Sequence, residues 1–450
     1  MRARNAAPSG IDRVEYAYAV WLLQQDPATT GFVVTLPGGA WFQLPRPLAE
    51  KLVRALTQRW RQGSSDTPML ALYGSLGLAG LADGFRRALR LARPPAGPVV
   101  YVNVSHHLLD SPAALRPLRR FYAARFIVLM HDLNPITHPE YFRPGHAEQH
   151  RRRLAVATEL ADGIIANSEA TVREIVRRRP KAALIRAAAL GVDTGESSDA
   201  PSGKGDYFLC VGTIEPRKNQ LLLLHLWRAM AERRPDEAIP KLLIVGRRGW
   251  ENEMILDMLE RCEAIRPFVE ERNAVADDEL TGLVRGALAV LMPSFAEGFG
   301  LPVGEALALG APVICSDLPA HRELGGDAPE YLDPLDGAAW RATIEDYAAP
   351  NSPARAAQLE RVRRWRAPRW ADHFAVARDL IDEVARGPKP AGTAVLSIVR
   401  ERADSDVDSD GAIVRVHQRG NSETAPRKTQ SDLADIGRQS ERKKSSSSSK

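Results

Sequence analysis

Two glutamates, Glu297 and Glu305, stand eight positions apart in FAEGFGLPVGEALALGAP (295–312), with Gly298, Gly300 and Gly304 between them. Ionised carboxylates only accept hydrogen bonds, so a pair of them suits a ligand rich in O–H donors, such as a sugar or a ribose. Glycines let the backbone approach a ligand closely. Pro302 suits the first position of a helix, and Gly310 with Pro312 suits its end. The spacing therefore predicts a short helix over 302–309, fed by the turn Gly298-Phe299-Gly300. Its N-terminus offers N–H donors and the positive end of a dipole, which fits a phosphate or a sugar hydroxyl. Glu305 falls in the first turn, where an acid also complements the dipole with no ligand present. Glu297, ahead of the glycine turn, has no such alternative.

Four further groups obey the same logic. Arg217 and Lys218 come just after the apolar run YFLCVG, which ends at Gly212. A cation pair there could neutralise a diphosphate and stabilise its departure; an ordinary surface pair is the plain alternative. His131-Asp132 comes after FIVLM, and reads equally as a buried core histidine with a helix cap or as a group facing a ligand. Arg247-Arg248-Gly249-Trp250 comes after KLLIVG, and Ser168-Glu169 after GIIAN.

The elements that must position these residues are short apolar runs alternating with helix-length segments. FVVTL (32–36), VVYVNV (99–104), FIVLM (126–130) and GIIAN (163–167) read as buried strands of the first half. YFLCVG (207–212), KLLIVG (241–246), ALAVLM (287–292) and PVICS (312–316) read likewise in the second. Continuous rather than alternating apolar strands indicate parallel sheets covered on both faces, and the strand–helix alternation gives an α/β class. The polar stretch SSDAPSGKGD, 197–206, reads as a linker between two doubly wound domains, 1–196 and 207–386. Ligands of such sheets collect at the carboxyl ends of the strands, which is where the polar groups occur. From 387 onward the apolar periodicity fades into ERKKSSSSSK, and the tail reads as disordered.

Composition narrows the class. At 450 residues the chain exceeds one ordinary core, and 44% hydrophobic with 26% charged residues is normal for a globular protein. No apolar run reaches transmembrane length and no signal-peptide pattern opens the chain, so a cytoplasmic location is expected. Cys210, Cys262 and Cys315 lie far apart, which argues for reduced thiols rather than disulfides or a zinc site. The net charge is +5, with arginines clustered at 86–93, 116–125, 151–153 and 177–179. These are solvated helix faces or, on the sharper reading, a surface for anionic lipid headgroups or a phosphate-bearing substrate. Nucleic acid is not indicated, because no helix-turn-helix, zinc-finger or aromatic-basic pattern is present.

VGTIEPRKN, IVGRRGW and PSFAEGFGLPVGEALALGAPVICSD together resemble the retaining glycosyltransferases of family four, which have the GT-B fold of two Rossmann-like domains facing a cleft. HDLNPITHPEYFRPG, IIANSEATVREI and SGIDRVEYAYAV resemble the amino-terminal half of a bacterial polysaccharide-assembly branch rich in mannosyltransferases. The resemblance spans roughly residues 9–380. It implies that Glu297 binds hydroxyls of the donor sugar, that Gly298, Phe299 and Gly300 offer backbone N–H groups, and that Glu305 holds the ribose. It further implies that Arg217 and Lys218 grip the diphosphate and that His131 lies near the transferred sugar, with Gly212 on the donor side and Gly10 in the acceptor-side loop. The donor would be a nucleotide diphosphate sugar, GDP-mannose or a UDP-hexose, used with no cofactor and no metal. The acceptor would be a polyprenyl-diphosphate-linked glycan at the inner face of the bacterial inner membrane, where the protein would sit peripherally.

One departure stands out. Only MRARNAAPS precedes Gly10, and it is not strand-like, so either the first strand of the amino-terminal sheet is missing or the start is late. An alternative function is therefore an inactive or truncated sugar-nucleotide-binding partner of a polysaccharide-assembly complex. A Rossmann dehydrogenase fits less well. Gly298-x-Gly300-x-x-x-Gly304 is one residue too long for the dinucleotide fingerprint, and Glu305 sits inside the helix instead of about 20 residues on. A sugar-nucleotide epimerase is a weaker option on the same fold. The D-x-D pairs at 404–406 and 408–410, used by metal-dependent transferases, fall in the tail and are set aside.

Overall fold

The buried apolar runs assemble into two parallel sheets. The computed structural model describes residues 8–35, 41–62, 69–88, 97–106, 109–178, 184–192, 205–233, 239–273 and 275–387. The first sheet contains β3 (Val100–Asn103), β4 (Arg125–Met130), β5 (Gly163–Ala166) and β6 (Leu184–Ala187) in that order. The second contains β7 (Tyr207–Val211), β8 (Lys241–Val245), β9 (Val269–Arg272), β10 (Val290–Met292), β11 (Val313–Ser316) and β12 (Glu330–Leu332), in the order β12-β11-β10-β7-β8-β9. That order reverses direction between β7 and β10, the switch point at which a doubly wound sheet opens a crevice.

FVVTL departs from its expected role. Phe32–Thr35 is β1 and pairs antiparallel with β2 (Trp41–Leu44), apart from both parallel sheets. All four β1 residues are half-buried: Phe32 and Val34 pack with Phe42 and Leu44, and Val33 packs against the cluster that contains Trp41. The stretch Gly38-Gly39 between two β-rich runs is the hairpin signal that explains it. The short strands β6, β9 and β12 are not legible as apolar runs. Each has one or more charged residues, which breaks up the pattern. Most of the linker and the whole tail beyond 387, including the D-x-D pairs, lie outside the described residues, as do residues 1–7 and part of the 86–93 arginine cluster.

The helix Trp370–Arg386 comes after the second sheet in the chain but packs on the first, across β3 to β6. The domain boundary expected at 386 groups it with the second sheet instead. Gly163 of β5 makes the approach close: a Cβ there would lie 3.2 Å from the Leu380 side chain. Arg125 donates to the carbonyls of Val384 and Gly387 at the end of that helix. Facing it, the helix Gly10–Leu23 stacks Trp21 on Phe374 at 4.6 Å and sets the Tyr18 hydroxyl 2.8 Å from His373 Nε2.

His373 is buried, and its Nδ1 lies 3.1 Å from the Ala188 carbonyl. A carbonyl only accepts, so Nδ1 carries the proton, and Nε2 accepts from Tyr18. Burial lowers the His373 pKa to about 4, against a partial lift from the Ala188 and Ala189 carbonyls. Between pH 6.5 and about 4 the unfolded chain therefore binds a proton that the folded chain refuses. Stability should fall as pH falls through that window, by roughly 3 kcal/mol from this residue. Denaturant titrations at pH 7 and pH 4.5 check this: wild type should lose more stability than His373→Gln, which cannot titrate. Equal losses would contradict it.

Candidate active site

The loops after β7 and β10 meet at the switch point. After β7 the chain turns through the 3-10 helix Pro216–Lys218, whose first residue is a proline needing no N–H partner. Asn219 then takes the left-handed conformation at φ 56°, and its amide donates to the carbonyls of Pro293 (3.1 Å) and Pro334 (3.0 Å). The Phe295 N–H donates to the Arg217 carbonyl at 2.9 Å. Two loops distant in sequence are thus fixed to each other, and they carry Arg217, Lys218 and Glu297.

These three side chains form one buried cluster. Lys218 Nζ is 2.6 Å from Glu297 Oε1, and Arg217 Nη1 is 2.8 Å from Glu297 Oε2. The other edge of Arg217 donates twice to Glu215 Oε1, at 2.9 and 2.7 Å, and Nη1 also reaches the Ala296 carbonyl. The Glu297 side chain is 8% exposed and Lys218 10%. Burial alone would raise the Glu297 pKa; Arg217, Lys218 and, farther off, His321 overcome it and hold the carboxyl far below its ordinary range. Burial would likewise lower the Arg217 pKa, but Glu297, Glu215 and Asp132 drive it up. Glu297 and Arg217 are therefore both charged at neutral pH.

The glycines shape the space around it. Gly212, at φ 144°, leaves room for Lys218, since a Cβ there would sit 3.3 Å from Lys218 Cε. Its N–H is committed to the Val245 carbonyl, so room is what Gly212 contributes rather than a donor for a ligand. Gly300, at φ 91°, caps the helix Leu301–Ala308. That helix begins one residue earlier than the sequence spacing predicts, and Glu305 consequently lies in its second turn rather than its first. Glu305 is half-buried. Phe299 turns its ring into the core. The N–H groups of Gly298, Phe299 and Gly300 have no hydrogen-bond partner among the described residues. They remain able to donate to an anion or a hydroxyl beside the helix N-terminus.

The first sheet closes on this turn. A Cβ on Gly298 would lie 2.6 Å from the His131 carbonyl oxygen and 2.7 Å from Asp132 Cβ. Ser168, after β5, donates to the Gly298 carbonyl at 3.0 Å and caps the adjoining helix. Gly10, the first residue of its helix, would place a Cβ 3.5 Å from Leu301 Cδ1, so the N-termini of two helices meet across the cleft. Tyr141 stacks on Phe295 at 4.8 Å, and Arg143 lies 5.6 Å over Trp250. Glu297, Gly298, Phe299, Gly300, Arg217, Lys218, Ser168 and Gly10 fall at this junction together with the backbone of His131, and Glu305 lies one turn behind it, whereas Arg248 pairs instead with Glu260 and Glu271.

His131 is buried, and its Nε2 is 2.7 Å from the Val104 carbonyl, which fixes the proton on Nε2 and leaves Nδ1 as an acceptor. Burial lowers its pKa, against the Val104 bond and Asp132. It belongs to a trio with His106 and His150, their rings 5.2 and 4.9 Å from that of His106. Sequence reasoning missed two of the three. It also missed His321, fully buried, which donates from Nδ1 to the Ser316 carbonyl at 2.8 Å and lies under Gly300. His321 comes shortly after the strand PVICS, so the tendency of polar groups to collect at strand ends points to it as well.

The arginine clusters are largely engaged locally. Arg116 pairs with Glu159, Arg151 with Glu148, and Arg177 and Arg178 with Glu174. No helix among the described residues is long and apolar enough to cross a membrane.

Together the two parallel sheets and their shared crevice make the GT-B fold of glycosyltransferases. A mutant of TarM from S. aureus, solved with fondaparinux, alpha-GlcNAc-glycerol and UDP, aligns with 63% of this chain and 55% of its own at a TM-score of 0.50 and 14% identity. Residues 205–348 match the family model described as "Glycosyl transferases group 1". The O-antigen chain mannosyltransferase B of Escherichia coli is 30% identical over 226 residues, 47% of this chain and 58% of that protein. The O-antigen chain mannosyltransferase RfbU of Salmonella typhimurium is 30% identical over 146 residues, 32% of this chain and 38% of its own. The chain thus spans less than two thirds of the length of these curated relatives.

Proposed function

We propose that this chain is a retaining hexosyltransferase that moves mannose, or another hexose, from a nucleotide diphosphate sugar to a growing lipid-linked surface polysaccharide. The observation that carries this reading is the convergence of Arg217, Lys218 and Glu297 at the switch point, beside a helix N-terminus with available N–H groups. The names of the relatives favour mannose, hence GDP-mannose, with a UDP-hexose as the other candidate. In the reaction, the bond between the anomeric carbon and the β-phosphate oxygen breaks. A new bond to an acceptor hydroxyl oxygen forms on the same face, and the hydroxyl proton leaves with the diphosphate. Arg217, Lys218 and the helix N-terminus stabilise the charge that grows on the leaving group. Glu297 accepts from hexose hydroxyls, Glu305 from the ribose, and His131 faces the transferred sugar. With fixed cations in that role, turnover needs no metal. The acceptor would be a polyprenyl-diphosphate glycan reached at the inner face of the inner membrane, with the protein cytoplasmic and peripheral at an anionic surface.

The test is release of GDP or UDP from each donor in the presence of extracted glycan lipids, with and without EDTA. Acceptor-dependent release, unchanged by EDTA, is the expected result. Binding without release would favour the inactive-partner reading. Loss of release on chelation would overturn metal independence.

A further inference from the structure

Glu297 has two tasks that conflict. It must accept hexose hydroxyls, yet both its oxygens sit on the two cations that a diphosphate needs, at 2.6 Å from Lys218 and 2.8 Å from Arg217. Arg217 has little left to offer elsewhere, because its Nε and Nη2 are held by Glu215. With the Glu297, Lys218 and Arg217 side chains 8%, 10% and 15% exposed, little water screens one anion from another. Asn219 and the Phe295–Arg217 backbone bond keep both loops in place, so a ligand cannot easily draw the cations away from the carboxylate.

We propose that Glu297 is a discriminator between the intact donor and the spent nucleoside diphosphate: it rests on Lys218 and Arg217, and hexose hydroxyls draw it off them. This rests on the donor-site reading above. An intact sugar nucleotide brings O–H donors that satisfy the displaced carboxylate, and its β-phosphate, esterified to the sugar, carries less charge than a free terminal phosphate. The spent diphosphate brings more negative charge and no hexose hydroxyl for Glu297 to accept from. The carboxylate returns to the cations and competes with the product for them, so breaking the glycosidic bond itself weakens the grip on the leaving nucleotide. The coupling is reciprocal: a free hexose that holds Glu297 off the cations must tighten binding of the nucleoside diphosphate, and the diphosphate must tighten binding of the hexose by the same factor.

Calorimetric titration tests this with GDP against GDP-mannose and UDP against UDP-glucose. In Glu297→Gln the Kd of the diphosphate, divided by that of its sugar form, should fall about tenfold relative to wild type. Glu215→Gln, which removes a carboxylate from the other edge of Arg217, should leave that ratio unchanged. If Glu297→Gln fails to fold, wild type answers alone: saturating mannose should raise GDP affinity severalfold, or glucose that for UDP. An unchanged ratio in Glu297→Gln, an equal fall in Glu215→Gln, or independent binding of hexose and diphosphate overturns the discriminator while leaving the donor site standing. No binding of any of the four nucleotides overturns both.

Discussion

Lys218→Ala is expected to slow sugar transfer by about 10²- to 10³-fold, the range for removing one preorganised charge from a developing oxyanion. The ammonium is positioned before any ligand arrives: Gly212 gives it room and Glu297 fixes it at 2.6 Å. Among the described residues no other lysine takes part in this cluster, and Arg217 already serves Glu215 as well as Glu297. Lys218→Arg is expected to rescue poorly, because the wider guanidinium meets Gly212, where even a Cβ would stand 3.3 Å from Lys218 Cε. Stripping a buried carboxylate of one partner also destabilises the fold, on the order of 3 kcal/mol. Melting curves taken beside the rate assay separate the two effects. A folded Lys218→Ala protein with an undiminished rate would contradict the role of Lys218.

Gly298→Ala should cost at least as much, for a different reason. The added Cβ would lie 2.6 Å from a backbone oxygen, that of His131, and 2.7 Å from Asp132 Cβ. Neither atom is the end of a flexible side chain, so the turn must back away from the loop after β4. A misplacement of about 1 Å between reacting groups is enough for a 10²-fold loss. The strain should lower stability by about 1–3 kcal/mol. Gly282→Ala is the control: it lies on the helix Asp277–Gly286 with nothing within 4 Å of its Cβ position. That change should leave the rate alone and raise stability slightly, by up to about 1 kcal/mol. A Gly298→Ala protein as fast as wild type would show that the junction of the two sheets is not where transfer occurs.

Much of this site was legible because it obeys one rule, that polar groups collect after apolar strands. Arg217, Lys218, His131, Ser168 and Glu297 all come after runs that are strongly apolar and short. The rule says nothing about partners, however, and the partners are what make the cluster. That Glu297 would occupy both cations, or that Gly298 would press on His131, depends on two loops 79 and 167 residues apart. The helix Trp370–Arg386 shows the same limit. Its apolar stripe announces a buried face but does not name the first sheet as the surface that covers it. FVVTL misled because apolar, β-branched composition is common to a central strand and to a hairpin arm. Only the glycine pair after it distinguishes the two. His106, beside His107 and just after VVYVNV, and His150, four residues after His146, escaped notice because only the fold brings them to His131.

The central claim is that the crevice between β7 and β10 binds a sugar nucleotide through Lys218 and Glu297. Thermal unfolding with GDP, UDP, ADP and their sugar nucleotides tests it most directly. One nucleotide class, at a hundred times its dissociation constant, should stabilise the wild-type chain by about 2.7 kcal/mol. The same ligand should give Lys218→Ala little or no rise in Tm. A rise undiminished in both Lys218→Ala and Glu297→Ala, or no rise with any nucleotide, would contradict the account.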